Sequence, residues 1–520
     1  MNSLLKTLPL AVFLSACSFI PAYEQPEVDL ASAWMQLSIE EHGGENVQAL
    51  GWREFFQDAQ LQSLIETALA QNHDLRKAAL NVQLAAEQYG IAEANRLPVV
   101  GISGNANRSR TGSGASPTGQ EVYADSFRAG IGINSFELDF FGRVRALSEA
   151  ALQQYSQTRE ARDAAQLSII KAVAQAYYGA RISKALMDLS EQVLAAREET
   201  AKLAKMQFDV GLITGVTLHS YENAIESARA DYYGYQRNYQ QALNALSLLV
   251  AQPLERLQLP AANDLSAQFA AVQMPAGIPS AVLQQRPDVR QAEFALKAAN
   301  ANIGAARAAL FPVISLTGSA GYASAELNQL LQGPNSVWSI GPAISLPIFN
   351  RGQLNANVRI SEISQQMAVE SYQSAVKTAF QEVADTLVAR ESYAKQFAAT
   401  QRAVKAQNEV LRLEKMRFEA GVTDGLTLID AERTNFTAQQ GLLAVQLSLL
   451  QNMVNLYTAM GGGLQEYGVQ MPVAEGESAA PIIDPVQSLA PMEQSAMPVQ
   501  TQQPSAAETA VAQGAARIKL

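Results

Sequence analysis

Lys205-Met206-Gln207-Phe208-Asp209-Val210-Gly211-Leu212-Ile213-Thr214-Gly215-Val216-Thr217-Leu218 returns, 210 positions later, as Lys415-Met416-Arg417-Phe418-Glu419-Ala420-Gly421-Val422-Thr423-Asp424-Gly425-Leu426-Thr427-Leu428. Both glycines keep their spacing. Each copy ends one long helical pattern and starts another, and glycine supplies the positive φ that closes a helix. A turn written twice predicts two helical hairpins per chain with their tips side by side.

Working outward, no proline occurs between Thr118 and Gln252, and Arg143 to Phe208 carries Gly179 as its one other breaker. A helix of that length spans about 100 Å at 1.5 Å per residue, more than a compact domain needs. After the turn, Tyr221, Ile225, Ala228, Tyr232, Tyr235, Tyr239, Leu243, Leu246 and Val250 fall at three- and four-residue steps, a seam that wants a partner helix. The three tyrosines 232, 235 and 239 read as seam packing rather than ligand stacking. A second proline-free run covers Ile348 to Met471, and its last helix repeats the seam at Ala438, Leu442, Val445, Leu449, Met453 and Leu456.

Before each long helix the period changes. Val100, Ile102, Gly104 and Ala106 alternate with Gly101, Ser103, Asn105 and Asn107, and a second alternating stretch runs from Val122 to Phe140 beyond the turn-rich loop 111–120. Val313–Tyr322 and Val337–Phe349 repeat this pair. A helix of moderate length precedes each hairpin, at about 60–96 and 276–310, and Asn72-His73-Asp74-Leu75-Arg76 matches Arg286-Pro287-Asp288-Val289-Arg290. The expected division is a signal segment 1–16, an N-terminal and equatorial segment 17–59, a first repeat 60–252, a connector 253–275, a second repeat 276–463, and a C-terminal segment and loose tail 464–520.

Four strands are too few to close a barrel, since closure starts at about eight. Unpaired edges are prohibited in lipid, so the strands must be pooled between copies. A dimer would give a filled barrel and a trimer a barrel with a lumen; the Gly-, Ser- and Asn-bearing faces favour the trimer. The expected fold is an α+β membrane protein: a trimeric twelve-stranded β-barrel, four strands per chain, continuous with a twelve-stave α-helical coiled-coil barrel and a mixed equatorial region.

Composition narrows the function. The 520 residues carry a net charge of −11 and 48% apolar residues, with no basic stripe for nucleic acid. Three scattered histidines, His42, His73 and His219, and a single cysteine exclude an intrachain disulfide and a cysteine-based zinc site. No catalytic set, cofactor site or metal site is expected. The cysteine is informative by position: residues 1–17 read as a secretory signal, and Leu14-Ser15-Ala16-Cys17 resembles the bacterial lipobox. Cys17 would then be acylated, an anchor in lipid rather than a span. Ser18 after it favours the outer membrane.

Together with the lipobox, Phe55-Phe56, Leu138-Asp139-Phe140-Phe141-Gly142-Arg143, Leu346-Pro347-Ile348-Phe349, the Phe-x-x-Gly-x-x-x-Gly-x-Thr-Leu turns and Asp430-Ala431-Glu432-Arg433 resemble the TolC/OprM outer-membrane efflux proteins over residues 20–465. The resemblance implies a homotrimeric channel-tunnel in the outer membrane of a Gram-negative bacterium, projecting into the periplasm. Its partners would be a periplasmic membrane-fusion adaptor and an inner-membrane RND-type pump, and drugs and other small amphiphiles would leave through it. It places Asp430 in a carboxylate ring at the periplasmic constriction, with Leu426, Thr427, Val216 and Ser220 around the gate. Gly211, Leu212, Ile213, Thr214, Gly421, Val422, Thr423 and Asp424 would dock the adaptor. Without the resemblance, Asp430 is an acid favoured near a helix N-terminus, Leu426 and Val216 serve equally as hairpin packing, and the tips end helices in water. His219 reads as a surface histidine.

The chain also departs from the family. Some members carry a second aspartate where Thr427 stands, the prototype's gate tyrosine and arginine are replaced by Phe418 and Thr423, and the first repeat has Ser220 in place of Asp430. The closing bonds must therefore differ. Three other functions compete. A protein-secretion duct is the alternative within the same architecture. A periplasmic coiled-coil adaptor would not explain the strand pairs, and an enzyme lacks any nucleophile–base pair, phosphate loop or metal spacing.

Overall fold

A computed structural model describes residues 18–29, 51–253 and 280–462. The signal segment, Cys17, the interior of the connector and the tail lie outside the described residues. The helices are α1 (Trp52–Phe55), α2 (Ala59–Gln71), α3 (His73–Ala94), α4 (Arg143–Asp209), α5 (Gly215–Val250), α6 (Pro287–Ala308), α7 (Arg351–Glu419) and α8 (Gly425–Ala459). The strands are β1 (Val100–Thr111), β2 (Val122–Glu137), β3 (Val313–Ser324) and β4 (Ser336–Ser345).

The strands form one antiparallel sheet in the order β1-β2-β3-β4, so among the described residues β1 and β4 are edges. Its register sorts the side chains. Ile102 faces Ile131, Ala320 faces Trp338 and Ile314 faces Ile344 on one face; Ser103 faces Gly130, Asn105 faces Arg128 and Ser319 faces Ser339 on the other. The apolar face lies open, with Ile102, Trp338 and Ile344 more than two-thirds exposed. On the small face a Cβ at Gly130 would come within 2.6 Å of the Ala320 carbonyl oxygen. Glycine there lets β2 and β3 lean together over that side. Among the described residues no helix is long and apolar enough to cross a membrane.

The two long helices run for 67 and 69 residues without interruption. Helix α4 starts at Gly142, whose φ of 72° turns the chain out of β2, and Asp139 caps it by accepting from the amides of Val144 (3.1 Å) and Arg145 (2.8 Å). Helices α3, α5, α6 and α8 all pack on α4, while α7 packs on α6 and α8.

The helix expected over 60–96 is two helices. Asn72 ends α2 with extended backbone, and its side chain accepts from the amides of Asp74 (2.8 Å) and Leu75 (3.2 Å) to start α3. Its amide also donates to the Leu249 carbonyl (2.9 Å). In the second repeat Arg286 holds the same place and donates to the Ala459 carbonyl (2.7 Å), 210 positions from Leu249. Each repeat thus ties the start of its strand-bound helix to the end of its return helix.

Two further clusters hold the equator and the strand-proximal end. Asp58 caps α2 and accepts from the Tyr177 hydroxyl (2.6 Å) and the Arg181 guanidinium (3.1 Å), a buried pair beside the stacked Phe55 and Tyr457. Burial pushes the Tyr177 and Tyr178 phenols up from their ordinary value. Residues 18–29, which carry no periodicity, form an extended strap. Phe19 stacks on Phe311, which stacks on Phe141. Asn300 donates to the Pro21 carbonyl (2.8 Å), and Gln25 to the Tyr372 hydroxyl (2.7 Å). Gly304 is the seat: a Cβ there would meet Ile20 Cγ1 at 2.5 Å.

Candidate gate and docking tips

Both repeat turns close their long helix in the same way. The Gly211 amide donates to the Phe208 carbonyl (2.8 Å) and the Leu212 amide to that of Gln207 (2.8 Å); Gly421 and Val422 repeat this with Phe418 (2.9 Å) and Arg417 (2.8 Å). This paired pattern needs a left-handed residue after the helix, and φ is 76° at Gly211 and 70° at Gly421. Thr214 then caps α5 by accepting from the Thr217 amide (3.3 Å). Asp424 caps α8 by accepting from the Thr427 amide (2.9 Å) and hydroxyl (2.7 Å). Those bonds hold the Asp424 carboxyl below its ordinary range. The Thr427 hydroxyl is spent on this cap.

The turns leave Leu212 (74%) and Val422 (69%) exposed at the apices, with Val216 and Leu426 exposed one turn further on. Ile213 is different: it folds in with Ile225 and Ile429 against Ala201, Ala204 and Tyr221. Asp430 is exposed and accepts from Arg433 (2.6 Å). Ser220 donates to the Val216 carbonyl (2.9 Å), so its hydroxyl serves its own helix. Gly211, Thr214, Gly421, Thr423 and Asp424 surround the two turns. His219 is exposed, beside Glu222 at 2.8 Å.

The sequence did not single out the residues that join the two tips. A Cβ on Gly425 would stand 1.6 Å from the Tyr221 hydroxyl oxygen, whereas the nearest atom to a Cβ on Gly215 is Phe208 Cε2 at 3.9 Å. Gly425 is therefore a landing place for the Tyr221 ring of the other hairpin. One turn deeper, buried Arg197 donates to the Ala224 carbonyl (2.9 Å) and faces Glu432 at 3.9 Å. Burial pushes the Glu432 carboxyl up, while Arg197 and Lys415 draw it back down. Further along, Gln440 of α8 donates to the Tyr235 hydroxyl of α5 (2.6 Å), so the tyrosine seam does pack on the second hairpin. Gly215 and Gly425 read alike in the repeated turn, so no local signal marks the Tyr221 contact.

Known proteins share this fold. The family described as "Outer membrane efflux protein" matches residues 64–252 and 278–462. The chain is 40% identical over 468 residues to the probable efflux pump outer membrane protein TtgC of Pseudomonas putida, covering 89% of this chain and 96% of that one. It is 38% identical over 467 residues to the cation efflux system protein CusC of Escherichia coli, covering 89% and 99%. The crystal structure of the open state of the Neisseria gonorrhoeae MtrE outer membrane channel superposes with a TM-score of 0.76 at 42% identity, covering 86% of this chain and 99% of that one. A sheet with one apolar face, two doubled hairpins and these matches over nearly the whole folded length place the chain in the outer membrane efflux protein family.

Proposed function

We propose that three copies of this chain enclose one gated, passive exit duct for antibiotics and other small amphiphiles. An inner-membrane RND-type pump would deliver them through a periplasmic membrane-fusion adaptor. The observation that carries this reading is the four-stranded sheet, with one apolar face and, among the described residues, two unpaired edges. In lipid, its edge amides and carbonyls must find partners in other copies. Twelve strands close a barrel whose apolar face meets the bilayer and whose Ser, Gly and Asn face lines water.

The helices support the same assembly. Leu80, Leu84 and Ile91 are exposed on α3, and Ile360, Ile363 and Met367 on α7. Both stripes lie in the strand-proximal half, and neither is covered by the described residues. Joined between copies, they bury each other. Residues 60–252 and 276–463 act as the two wall-forming repeats, and acylation of Cys17 would hold the chain to outer-membrane lipid. Asp430, Leu426, Thr427, Val216 and Ser220 line the periplasmic gate. The turns from Gly211 to Thr214 and from Gly421 to Asp424 receive the adaptor, with the exposed Leu212 and Val422 as apolar contacts.

The relatives named for efflux of antibiotics and toluene support apolar cargo, and CusC is named for cations. A deletion strain tested against dissimilar antibiotics, solvents and metal salts, beside its secreted proteins, checks this. Increased susceptibility to several amphiphiles is expected. Unchanged susceptibility with loss of a secreted protein would replace this reading with a secretion duct.

A further inference from the structure

Beside the strap, a cavity of about 400 Å³ opens between α4 and α6, walled by Ser18, Arg145, Glu149, Gln153, Lys297 and Asn300. Ile20, Pro21, Tyr23 and Ala301 complete a largely apolar wall into which these polar groups are set. Arg145 lies in the first turn of α4, three residues beyond the Gly142 junction with β2, and the Phe19–Phe311–Phe141 stack marks the same level next to the start of β3. The headgroup layer extends roughly 5–7 Å beyond the hydrocarbon on each side. With the hydrocarbon ending at the junction, Arg145, about 5 Å along the helix at 1.5 Å per residue, would fall within that layer. Ser18 of the strap, next in sequence to Cys17, forms one wall.

The wall groups are arranged for both signs of charge. Among the described residues the Arg145 guanidinium has no acidic partner, although Glu149 sits one turn away on the same helix. Glu149 uses one oxygen to accept from Gln153 Nε2 (2.6 Å). Gln153 Oε1 is buried without a hydrogen-bond partner, an acceptor waiting for a donor. Lys297 is already paired with Glu293 (2.8 Å) and lies over the Tyr23 ring, so it shapes the wall rather than supplying a free cation. The open groups are thus one guanidinium on the membrane side and, deeper, one carboxylate and one amide oxygen.

We propose that this cavity binds the headgroup of a phosphatidylethanolamine from the periplasmic leaflet. The phosphate pairs with Arg145, and the ammonium donates to Glu149 and Gln153. A guanidinium suits a phosphate by its forked donors. The ammonium supplies the N–H donors that the two deeper acceptors lack. The diacylglyceryl group expected on Cys17 contains neither phosphate nor ammonium and would leave Arg145, Glu149 and Gln153 unpaired. The inference rests on the barrel lying in the membrane and not on the identity of the cargo.

The test uses the full-length, detergent-extracted oligomer and native mass spectrometry. It is titrated separately with phosphatidylethanolamine, phosphatidylcholine, phosphatidylglycerol and free phosphoethanolamine. Phosphatidylcholine keeps the phosphate and the positive charge but has no N–H; phosphatidylglycerol keeps the phosphate and offers hydroxyl donors but no positive charge. One phosphatidylethanolamine per protomer should be retained about tenfold more tightly than either other lipid. Glu149→Gln should erase that preference while leaving general lipid retention intact, and Arg145→Ala should weaken retention of all three. Retention of phosphoethanolamine without acyl chains would identify a soluble-ligand site and overturn the lipid assignment. Equal retention of the three lipids by the unmodified protein, or a preference unchanged in Glu149→Gln, would also overturn it. Glu149→Gln is nearly isosteric and outside the oligomer seams, and unboiled gel mobility verifies that the assembly is intact.

Discussion

Gly425 and Gly215 hold equivalent positions in the two repeats, yet a methyl group should separate them sharply. Gly215→Ala meets nothing closer than 3.9 Å and should leave melting and conductance unchanged. Gly425→Ala drives a carbon into the Tyr221 ring, which is 4% exposed and has no free space to enter. Overpacking of this kind costs about 1–3 kcal/mol. Loosened tips and a raised single-channel conductance are expected, with partial relief when Tyr221→Phe is added; equal behaviour of the two alanine variants would refute the Tyr221 contact as a tie. With Asp430 at the proposed gate, Asp430→Ala would act on the bore instead of the packing. It removes a carboxylate and leaves Arg433 without its ion-pair partner, so planar-bilayer recordings should show higher conductance and reduced cation preference. Glu432 tests the tie by pH. Its folded pKa is raised, mainly by burial, so its contribution to tip stability is greatest below the ordinary glutamate range. It is lost as pH rises through the raised value. Glu432→Gln mimics the protonated form. Protection of the amides in the first turns of α8, taken relative to their intrinsic exchange at each pH, should then be at least as great as in the unmodified protein at neutral pH, and should no longer fall as pH rises above the ordinary glutamate range.

Among the elements, the paired ties at Asn72 and Arg286 carry the junction between strand-bound and return helices. Arg286→Ala orphans the Ala459 carbonyl and releases Asp288 and Glu382. Because Glu382 reaches solvent, the loss should be roughly 1–3 kcal/mol, read from thermal melting of the extracted protein. Asn72→Ala should cost about 1–2 kcal/mol for the lost cap. These ties also show where sequence reasoning stopped. The long helices were legible because they lack proline and repeat their closing turn, and the strands because their period is two. The break at Asn72 was not, since asparagine inside a helical pattern signals either a cap or a solvated position, and only the Leu249 carbonyl opposite decides. The strap at 18–29 was unreadable for a related reason: its order comes from Phe311, Asn300, Gly304 and Tyr372, all hundreds of residues away. At the tips, the turn glycines and the exposed apices were visible in the repeat. The Tyr221–Gly425 and Arg197–Glu432 contacts depend on how two hairpins lie together, which no local pattern encodes.

For the molecule as a whole, the exposed stripes make assembly testable without touching the sheet. Ile363→Asp places a charge in a seam that the chain alone leaves open, so the isolated protomer loses nothing, while the oligomer must desolvate a carboxylate. The slow-migrating, heat-sensitive band of the unboiled protein should disappear or weaken, and its persistence would show that α7 does not face another copy. The lengths of α4 and α7 carry a further consequence. Because 67 and 69 unbroken residues set how far each hairpin descends, residue count acts as a depth gauge. Removing one heptad from a single arm would lift that tip about 10 Å above its neighbour. Tyr221 would then no longer reach Gly425, and a docking partner would meet a stepped rim. Only matched excisions in all four arms would keep the rim level, giving a shorter tube that still closes but no longer bridges the same gap between two membranes.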